Sequence, residues 1–221
     1  MNEVIAIDGP AGAGKSTIAR RLANTLGFTY IDTGAMYRAV ALWAIDQGVS
    51  LEDAARLEQL ASDAELGLDS ERRVFLNGRE VTQSIRTPEV SAAASRVAAV
   101  AGVRAALVSK QRAIAESGGV VMEGRDIGTV VFPHARVKIF LDADVRERVA
   151  RRSGEQPEIS TEDLAAQIAA RDARDRGRAE SPLTQADDAV YVDSTGLTLE
   201  EVEEKILRVV RERNLELKGN T

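Results

Sequence analysis

A glycine-rich loop between a strand and a helix constrains this chain more than any other feature. Residues 9–16 read GPAGAGKS, a complete match to the phosphate-loop pattern G-x-x-x-x-G-K-[ST]. An apolar run at residues 4–7 precedes the loop, and a helical pattern begins at Lys15. In such loops backbone N–H groups surround a phosphate, the lysine reaches further phosphate oxygens, and the serine hydroxyl can ligate Mg²⁺. The sequence therefore predicts nucleoside triphosphate binding.

Short apolar runs rich in β-branched residues recur along the chain, and amphipathic stretches lie between most of them. This alternation is typical of a parallel sheet with helices on both faces. We therefore expect an α/β fold of three layers with a central parallel sheet. The runs are VIAI at 4, FTYI at 28, VVM at 120, VKIFL at 137 and VYV at 190.

One segment departs from this alternation. The stretch RRVFLNGREVT, residues 72–82, places Asn77 and Gly78 between two alternating runs, which is a strong signal for a β-hairpin. It predicts a small antiparallel hairpin insert in the parallel fold. On either side, residues 34–64 and 88–117 are rich in Ala and predict helices.

Two features mark the second half of the chain. Thr198 and Glu201 form a capping box at the start of a helix that we expect over residues 199–213. The stretch SGEQPEIS, residues 153–160, resembles a disordered segment and lies inside a cluster of arginines. We interpret this stretch as a mobile lid.

The composition limits the possible partners and chemistry. Acidic residues outnumber basic ones 35 to 29, so we expect no nucleic-acid partner. No apolar run approaches the roughly 18 residues that a membrane span needs, so we expect no membrane partner either. Cysteine is absent, which excludes thiolate metal sites and suits the cytoplasm. The only histidine, His134, follows a proline in an expected turn, so we expect no metal site there.

Three classes of protein use a loop of this kind. A GTPase needs the guanine-reading motif N-K-x-D, and no Asn in this chain is followed by Lys. A mechanical ATPase normally brings a larger chain and a strand that ends in adjacent acids. A small-molecule kinase needs mobile arms that exclude water from the γ-phosphate, and the hairpin insert and the 153–160 stretch are candidates. The sequence favours the kinase, and an ATP-dependent binding module is the non-enzymatic alternative.

The motif DTGAMYR, residues 32–38, is the first candidate for the acceptor site. It follows an expected strand and carries a hydroxyl group, a glycine and, one helical turn later, Arg38. A guanidinium group at this place would face an anion. The alternative is that Asp32 or Thr33 only caps a helix.

The motif EGRDIGTVVFP, residues 123–133, is the second candidate. It places Glu123, Arg125 and Asp126 at the carboxyl end of an expected central strand. Ligands of open α/β sheets bind at that edge. A buried structural ion pair is the alternative interpretation.

Charged residues at helical spacing form the third candidate. The segment RDARDRGR would place three guanidinium groups around one carboxylate on a single helix face: Arg171, Arg174, Asp175 and Arg178. Such a face attracts an anion, or it is a solvated face that Asp172 and Asp175 balance. The fourth candidate, VDSTG at residues 192–196, either contacts the nucleotide base or caps a helix.

None of these motifs offers a convincing general base. The second pKa of a phosphate monoester is about 6, so its oxygen is already nucleophilic at neutral pH. Transfer to such an acceptor needs positioning and charge neutralisation by Mg²⁺, Lys and Arg. The arginine-rich, base-poor motifs therefore favour a phosphate acceptor. An alcohol acceptor such as shikimate is the alternative.

Taken in order, these motifs resemble the bacterial cytidylate kinase family of nucleoside monophosphate kinases. The resemblance runs from about Val4 to Val210. It implies a three-layer P-loop kinase fold and transfer of the γ-phosphate of ATP to CMP or dCMP with Mg²⁺, by a monomeric cytoplasmic enzyme. A kinase that acts on UMP remains an alternative. The motifs are GPAGAGKST, DTGAMYR, the NG hairpin, AAASRVAAVAGVR, EGRDIGTVVFP, VKIFLDA, RDARDRGRAESPL and VDSTGLT.

The resemblance also implies roles for single residues of the acceptor site. The residues expected near the cytosine are Thr33, Arg104 and Asp126. Those expected near the sugar are Ser95, Arg171 and Asp175. Those expected on the acceptor phosphate are Arg38, Arg125 and Arg178.

We expect Lys15, on the donor, and Arg125 and Arg178, on the acceptor phosphate, to act as catalytic residues. Ser16 is the expected protein ligand of Mg²⁺. The residues expected to bind ATP are Gly9, Pro10, Ala11, Gly12, Ala13, Gly14, Lys15, Ser16 and Thr17.

Two positions depart from the family pattern. Thr33 stands where members often have Ser, and Glu123 stands where they often have Asp, so both positions keep their functional group. The segment between Arg152 and Arg171 is shorter than in many relatives. Three arginines are therefore candidates to reach ATP: Arg148, Arg151 and Arg152.

The resemblance implies a single P-loop kinase domain over residues 1–221. A monophosphate-binding excursion would occupy about residues 33–117, and the hairpin insert would lie within it at about 66–85. A lid would occupy about residues 148–170.

Overall fold

The computed structural model describes residues 3–69, 73–116 and 118–218. Positions 72 and 117, at which the predicted hairpin begins and a predicted helical region ends, lie outside the described residues. The chain divides into two compact units. The first comprises Met1–Tyr30 and Gly118–Thr221, and the second comprises Ile31–Ser117.

The described residues form eight strands and eight helices. In chain order the strands are β1 (Val4–Asp8), β2 (Thr29–Asp32), β3 (Leu66–Leu68), β4 (Val74–Leu76), β5 (Arg79–Glu80), β6 (Val120–Gly124), β7 (Val137–Asp142) and β8 (Val190–Asp193). The helices are α1 (Lys15–Leu26), α2 (Thr33–Asp46), α3 (Ala54–Asp63), α4 (Pro88–Val97), α5 (Ala101–Ala115), α6 (Val145–Glu155), α7 (Thr161–Arg176) and α8 (Leu199–Lys218). A 3₁₀ turn occupies Ser84–Arg86, and a π-helical turn occupies Ile127–Val131.

A five-stranded sheet of order β2–β6–β1–β7–β8 organises the first unit. Strand β1 is central and pairs in parallel with β6 and β7, and β7 pairs in parallel with β8. The last residue of β1, Asp8, lies opposite Gly124 on one side and Phe140 on the other. Four of the five residues of β1 and all five of β6 are buried, as expected for central parallel strands. The five predicted strands and the α/β class are confirmed.

Two helices of the first unit cover the sheet with apolar side chains. Helix α1 contributes Ile18 and Leu22, and α8 contributes Val202 and Ile206, to a core that also contains Ile139 of β7. All these side chains are fully or almost fully buried. Burial of each stabilises the fold by about 1.5–3 kcal/mol.

The predicted capping box of α8 is confirmed. The backbone N–H of Thr198 donates to the Glu201 carboxylate at 2.8 Å, and the backbone N–H of Glu201 donates to Thr198 Oγ1 at 3.2 Å. The helix continues to Lys218, beyond the predicted end at position 213. Helix α6 likewise continues to Glu155, so the first three residues of the 153–160 stretch are helical and not irregular as predicted.

The second unit combines helices α2 to α5 with a small antiparallel sheet. Its core is rich in Ala, Val and Leu from these helices. Strands β4 and β5 pair across the Asn77-Gly78 turn, whose φ angles of 50° and 77° are those of a type I′ hairpin. The predicted hairpin is therefore confirmed. Strand β3, which pairs with β4, carries a glycine in its middle and has no strong strand signal of its own.

No single helix of the described residues is long and apolar enough to cross a membrane. Helices α4 and α5 reach the length and apolar composition of a membrane span only when they are taken together, and the chain bends by 100° between them.

We predict that Gly9 tolerates no side chain. Its φ is 151°, and an added Cβ would lie 2.0 Å from the backbone oxygen of Leu141 in β7, so β7 or the loop would have to move. Gly27, with φ at 68° and no atom within 4 Å of an added Cβ, is the matched control. Gly27→Ala should cost about 1–2 kcal/mol of unfolding free energy.

Gly9→Ala should cost several times more, or prevent folding. Urea denaturation of the two variants and the unsubstituted chain measures the difference. Equal losses for both variants would show that the close approach of Gly9 to β7 is unimportant.

Candidate active site

The glycine-rich loop joins β1 to α1, as predicted. Lys15 is the first residue of α1 and is buried, and its Nζ donates to the backbone oxygen of Pro10 at 2.7 Å. This contact folds the lysine back across the loop. Gly12 and Gly14 have left-handed φ angles of 77° and 89°, which turn the peptide units of the loop. Ser16 is exposed in the first turn of α1.

Burial and neighbouring cations disfavour the charged form of Lys15. The pKa of Lys15 is lowered from 10.5 to about 7, chiefly by burial and next by the positive charge of Arg125. Glu123 and Asp8 oppose this shift, and Arg171 adds to it. The side-chain amine of Lys15 is therefore close to half-protonated at neutral pH.

Asp8 links the end of β1 to the segment that follows β6. Its two carboxylate oxygens accept hydrogen bonds from the backbone N–H groups of Ile127, at 2.8 Å, and Gly128, at 2.7 Å. Burial raises the pKa of Asp8 to about 6, although the two N–H groups lower it. The carboxylate thus fixes the backbone that directly follows Arg125 and Asp126.

Asp175 of α7 gathers two arginines. Its carboxylate accepts from Arg125 Nε at 2.8 Å and from Arg178. Burial raises the pKa of Asp175, but the charges of Arg125 and Arg178 outweigh burial and hold it below its usual value. Two predicted acceptor-site arginines therefore meet at one ionised carboxylate. Asp126, which directly follows Arg125, is buried. Arg171 is half-buried and lies on α7, the helix that carries Asp175.

The predicted charged face of the RDARDRGR segment is wrong in two respects. Helix α7 ends at Arg176, so Arg178 lies beyond it and reaches back to Asp175. Arg174 is exposed, and its Nε donates to the backbone oxygen of Ala170 at 3.2 Å. The second guanidinium group on Asp175 comes from Arg125, which lies in the segment directly after β6. The alternative of a solvated face is also wrong, because Asp172 and Asp175 are buried.

The three candidate arginines of α6 have different surroundings. Arg148 is buried and bonded to Asp172 at 2.6 Å and to the backbone oxygen of Ala11 at 3.0 Å. Arg151 donates to the backbone oxygen of Ala13 at 3.2 Å and to Ser194 Oγ at 3.0 Å. Arg152 forms an ion pair with Glu155 at 2.8 Å. Arg148 and Arg151 therefore touch the phosphate loop.

In the second unit, Asp32 caps helix α2. Its carboxylate accepts from the backbone N–H of Ala35 and from Arg38, both at 2.9 Å. Burial raises the pKa of Asp32, but Arg38 and the capping N–H lower it below its ordinary value. The capping role that the sequence left open belongs to Asp32. Thr33 is buried in the first turn of the same helix.

Arg104 and Ser95 are also buried in the second unit. The Arg104 guanidinium lies 5.5 Å from the centre of the Tyr37 ring and donates to the backbone oxygen of Ala98 at 3.3 Å. Attraction between the cation and the aromatic face offsets part of the free-energy cost of burying the guanidinium group. Tyr37 thus holds a predicted cytosine-site residue in place, a role that no motif indicated.

Comparison with known proteins decides the family. The profile of the cytidylate kinase family matches residues 5–212. The chain belongs to the cytidylate kinase family. A cytidylate kinase from Solibacter usitatus (strain Ellin6076) is 61% identical over 216 residues, which cover 95% of this chain and 93% of that protein. The chain is 50% identical to a cytidylate kinase from Caldanaerobacter subterraneus subsp. tengcongensis, covering 94% of each.

A solved structure supports the fold. A gluconokinase from Sinorhizobium meliloti 1021 superposes with a TM-score of 0.53 over 100% of this chain and 98% of its own, at 13% identity. The predicted P-loop kinase fold is confirmed, and this likeness carries information about the fold alone.

For a cytidylate kinase, the donor side offers few protein ligands for a metal. Among the described residues, no group of three or more His, Asp or Glu side chains could hold a metal ion by itself. Mg²⁺ typically binds through one or two protein groups, water and substrate phosphates. The exposed hydroxyl of Ser16 and the carboxylate of Glu123, which accepts from Tyr30 Oη at 2.6 Å, fit that mode.

Sequence reasoning missed the roles of Asp8 and Asp172, which bond backbone N–H groups beside the site. Asp8 gave a weak signal, because an acid at the end of a buried strand must find donors. Asp172 gave none, because RDARDRGR contains two aspartates and only the packing of α7 decides which face each one takes. Both carboxylates bind backbone N–H groups and neither would stand out in a search for catalytic motifs.

We predict that Asp8 makes the stability of this cytidylate kinase depend on pH. The pKa of Asp8 is about 6 in the folded chain and 3.8 without burial, so the folded chain binds more protons between these values. The unfolding free energy should therefore fall as the pH rises from about 4 to 6, by about 3 kcal/mol if Asp8 acts alone.

Urea denaturation of the wild type and of Asp8→Asn at several pH values measures this dependence. The variant loses one N–H acceptor at every pH, which lowers its stability by a constant amount, and it should lose the slope that Asp8 causes. Asp187→Asn, at an exposed acid, controls for removal of a negative charge. Identical slopes for wild type and Asp8→Asn would refute the shifted titration.

Proposed function

We propose that this chain transfers the γ-phosphate of ATP to CMP or dCMP and releases ADP and CDP or dCDP. The observation that carries the proposal is the match to cytidylate kinases over nearly the whole chain, with a phosphate loop in the expected strand–loop–helix context. The enzyme is a nucleoside monophosphate kinase, and ATP is its phosphate donor.

The donor phosphates are held by the second half of the loop. Pro10 has no N–H, and the N–H of Ala11 donates to Asp172 at 3.2 Å. We assign the triphosphate to the N–H groups from Gly12 into the first turn of α1, where the helix dipole also favours an anion. Lys15, released from Pro10, reaches the β- and γ-oxygens. Mg²⁺ would be held by Ser16 and would neutralise charge on the β- and γ-phosphates.

The acceptor phosphate is held by arginines. In the first unit Arg125 and Arg178 are its ligands, and Asp175 orients both. In the second unit Arg38 has the same role, with Thr33 and Arg104 for the base and Ser95 for the sugar. Asp126 of the first unit reads the base, and Arg171 and Asp175 bind the sugar. The burial of Asp126, Asp175, Arg104 and Ser95 supports these assignments, because polar side chains rarely accept burial without a structural or functional reason.

The reaction is an in-line displacement. An oxygen of the acceptor phosphate attacks the γ-phosphorus, the bond from that phosphorus to the β–γ bridging oxygen breaks, and ADP leaves with the electron pair of that bond. No base is needed, because the acceptor is already ionised at neutral pH. Lys15, Arg125 and Arg178 neutralise the charge that is shared by the attacking and leaving oxygens.

The remaining parts of the proposal concern the arms and the surroundings of the enzyme. Residues of about 33–117 bind the monophosphate, and residues of about 148–170 form the lid. Arg151, which already contacts the loop at Ala13, is the lid arginine beside the triphosphate. The enzyme acts as a cytoplasmic monomer on small molecules. The net charge of −6 and the absence of cysteine support these last points.

Release of ADP from ATP with one acceptor at a time tests the function. We expect strong Mg²⁺-dependent release with CMP or dCMP and little with AMP or shikimate, measured by a coupled ADP assay. Asp126→Ala should reduce the preference for CMP over UMP, because the variant lacks a carboxylate at the base. Release with none of the acceptors, together with tight ATP binding, would favour the binding module. Strong release with UMP alone, or with shikimate, would assign another kinase.

We predict that ATP binding takes up a proton at pH 8. The pKa of Lys15 is about 7 in the free chain, so Lys15 is mostly neutral at pH 8, and phosphate oxygens beside it would restore its ammonium form. Calorimetric titration with ATP in buffers of different ionisation enthalpy should show uptake approaching one proton. Lys15→Arg, which keeps its charge at this pH, should show almost none. Equal uptake by both proteins would exclude Lys15 as its source.

A further inference from the structure

Asp172 and Arg148 together hold both polar groups of a single loop residue, Ala11. Asp172 Oδ1 accepts from the backbone N–H of Ala11 at 3.2 Å, and Arg148 donates to the backbone oxygen of Ala11 at 3.0 Å. The same Arg148 nitrogen donates to Asp172 Oδ2 at 2.6 Å. The Ala11 N–H, its carbonyl and the ion pair therefore form a closed ring of charge-assisted hydrogen bonds.

This ion pair is almost completely buried. The side chains of Arg148 and Asp172 are 6% and 5% exposed. Burying two charges costs several kcal/mol per ion, and a hydrophobic pair of similar volume often stabilises a protein as well or better. Stability alone is therefore a poor reason for this pair. What the pair does provide is a hydrogen bond to each polar group of Ala11, which orients the peptide groups of that residue.

The ring and the packing of Gly12 restrict how the first half of the loop is oriented. Gly12 packs against Arg148 so closely that an added Cβ would lie 3.1 Å from the Arg148 backbone oxygen. With Ala11 bonded on both sides and Gly12 against α6, the loop has one orientation up to the residue where the N–H donors for the triphosphate begin. Preorganised donors bind an anion more tightly than donors that must first be ordered.

Helix α7 also connects the loop to the arginines of the other cluster. Asp172 and Asp175 are three residues apart on α7, so they lie on neighbouring positions of its surface. One binds the loop through Ala11, and the other binds Arg125 at 2.8 Å. The same rigid helix thus sets the position of the donor loop and of Arg125.

We propose that Asp172 and Arg148 are positioning residues for the donor site. They do not touch ATP. They fix the Ala11 peptide groups, and through them the N–H groups that bind the β- and γ-phosphates. The proposal rests on the proposed function only in taking ATP as the ligand of the loop.

Asp172→Asn tests the pair with almost no change of shape. An amide can offer its oxygen to Ala11 or to Arg148 but not to both, and its NH₂ group then faces a donor. We expect ATP binding, measured by calorimetry without an acceptor, to weaken roughly tenfold or more. In the transfer assay the KM for ATP should rise by a similar factor, and the KM for CMP should stay within about twofold. Asp187→Asn is the matched control and should match the wild type in both measurements.

A double variant separates positioning from stability. Arg148→Met combined with Asp172→Leu removes both buried charges together and fills their place with apolar side chains of similar size. This variant is therefore expected to fold even if Asp172→Asn does not. We expect this variant to unfold near the wild-type urea midpoint. We also expect its ATP affinity to be reduced as much as that of Asp172→Asn. Recovery of ATP affinity together with stability would overturn the proposal, as would unchanged ATP affinity in Asp172→Asn.

The two proposals fail in different ways. If the wild type binds ATP but transfers phosphate to no nucleotide, the proposed function is wrong, and the binding comparison still tests Asp172. If transfer to CMP is efficient and the ATP affinity of the variants is unchanged, the proposed function stands and the positioning role is wrong.

Discussion

A phosphate loop must present several backbone N–H groups to its ligand instead of pairing them within the protein, and folding penalises unpaired groups. The penalty stays small only if the rest of the loop is fully bonded and cannot collapse onto those donors. Here Gly9 is set against β7, Pro10 accepts from Lys15, and Ala11 is bonded at both of its polar groups. The close packing of the first half of the loop is what permits the second half to remain available.

The same requirement explains where the first unit buries charge. Asp8, Asp172 and Asp175 are each at most 5% exposed, and each accepts hydrogen bonds from the backbone or from arginine. Each carboxylate lies beside a segment that carries the site: the turn after Asp126, the loop at Ala11, and Arg125. Carboxylates that orient backbone and guanidinium groups are thus the common device of this unit, and they act without contacting substrate themselves, except where Asp175 binds the sugar in the proposed complex.

The sequence predicted those parts of the fold whose signals are local. Five apolar runs became the five strands of the parallel sheet, and Asn77-Gly78 became a hairpin because two left-handed residues in succession specify that turn. Strand β3 was not evident, because it is stabilised by pairing with β4 rather than by its own composition. The faces of α7 were assigned wrongly for the same reason: spacing relates residues within a helix, whereas its contacts with α6 and with Arg125 decide which side is buried.

For the site, motifs located the loop and the clusters, but charge states required the three-dimensional arrangement. Burial is the main reason that the ammonium form of Lys15 is disfavoured, and the positive charges of Arg125 and Arg171 add to it. Loss of the Lys15 proton relieves both effects. Arginine cannot do the same, because its pKa is too high for it to lose a proton in a protein. A bound polyanion reverses the balance and makes the ammonium form favourable again. The free site therefore holds less positive charge than it would in the proposed ATP complex, in which Lys15 would be protonated again.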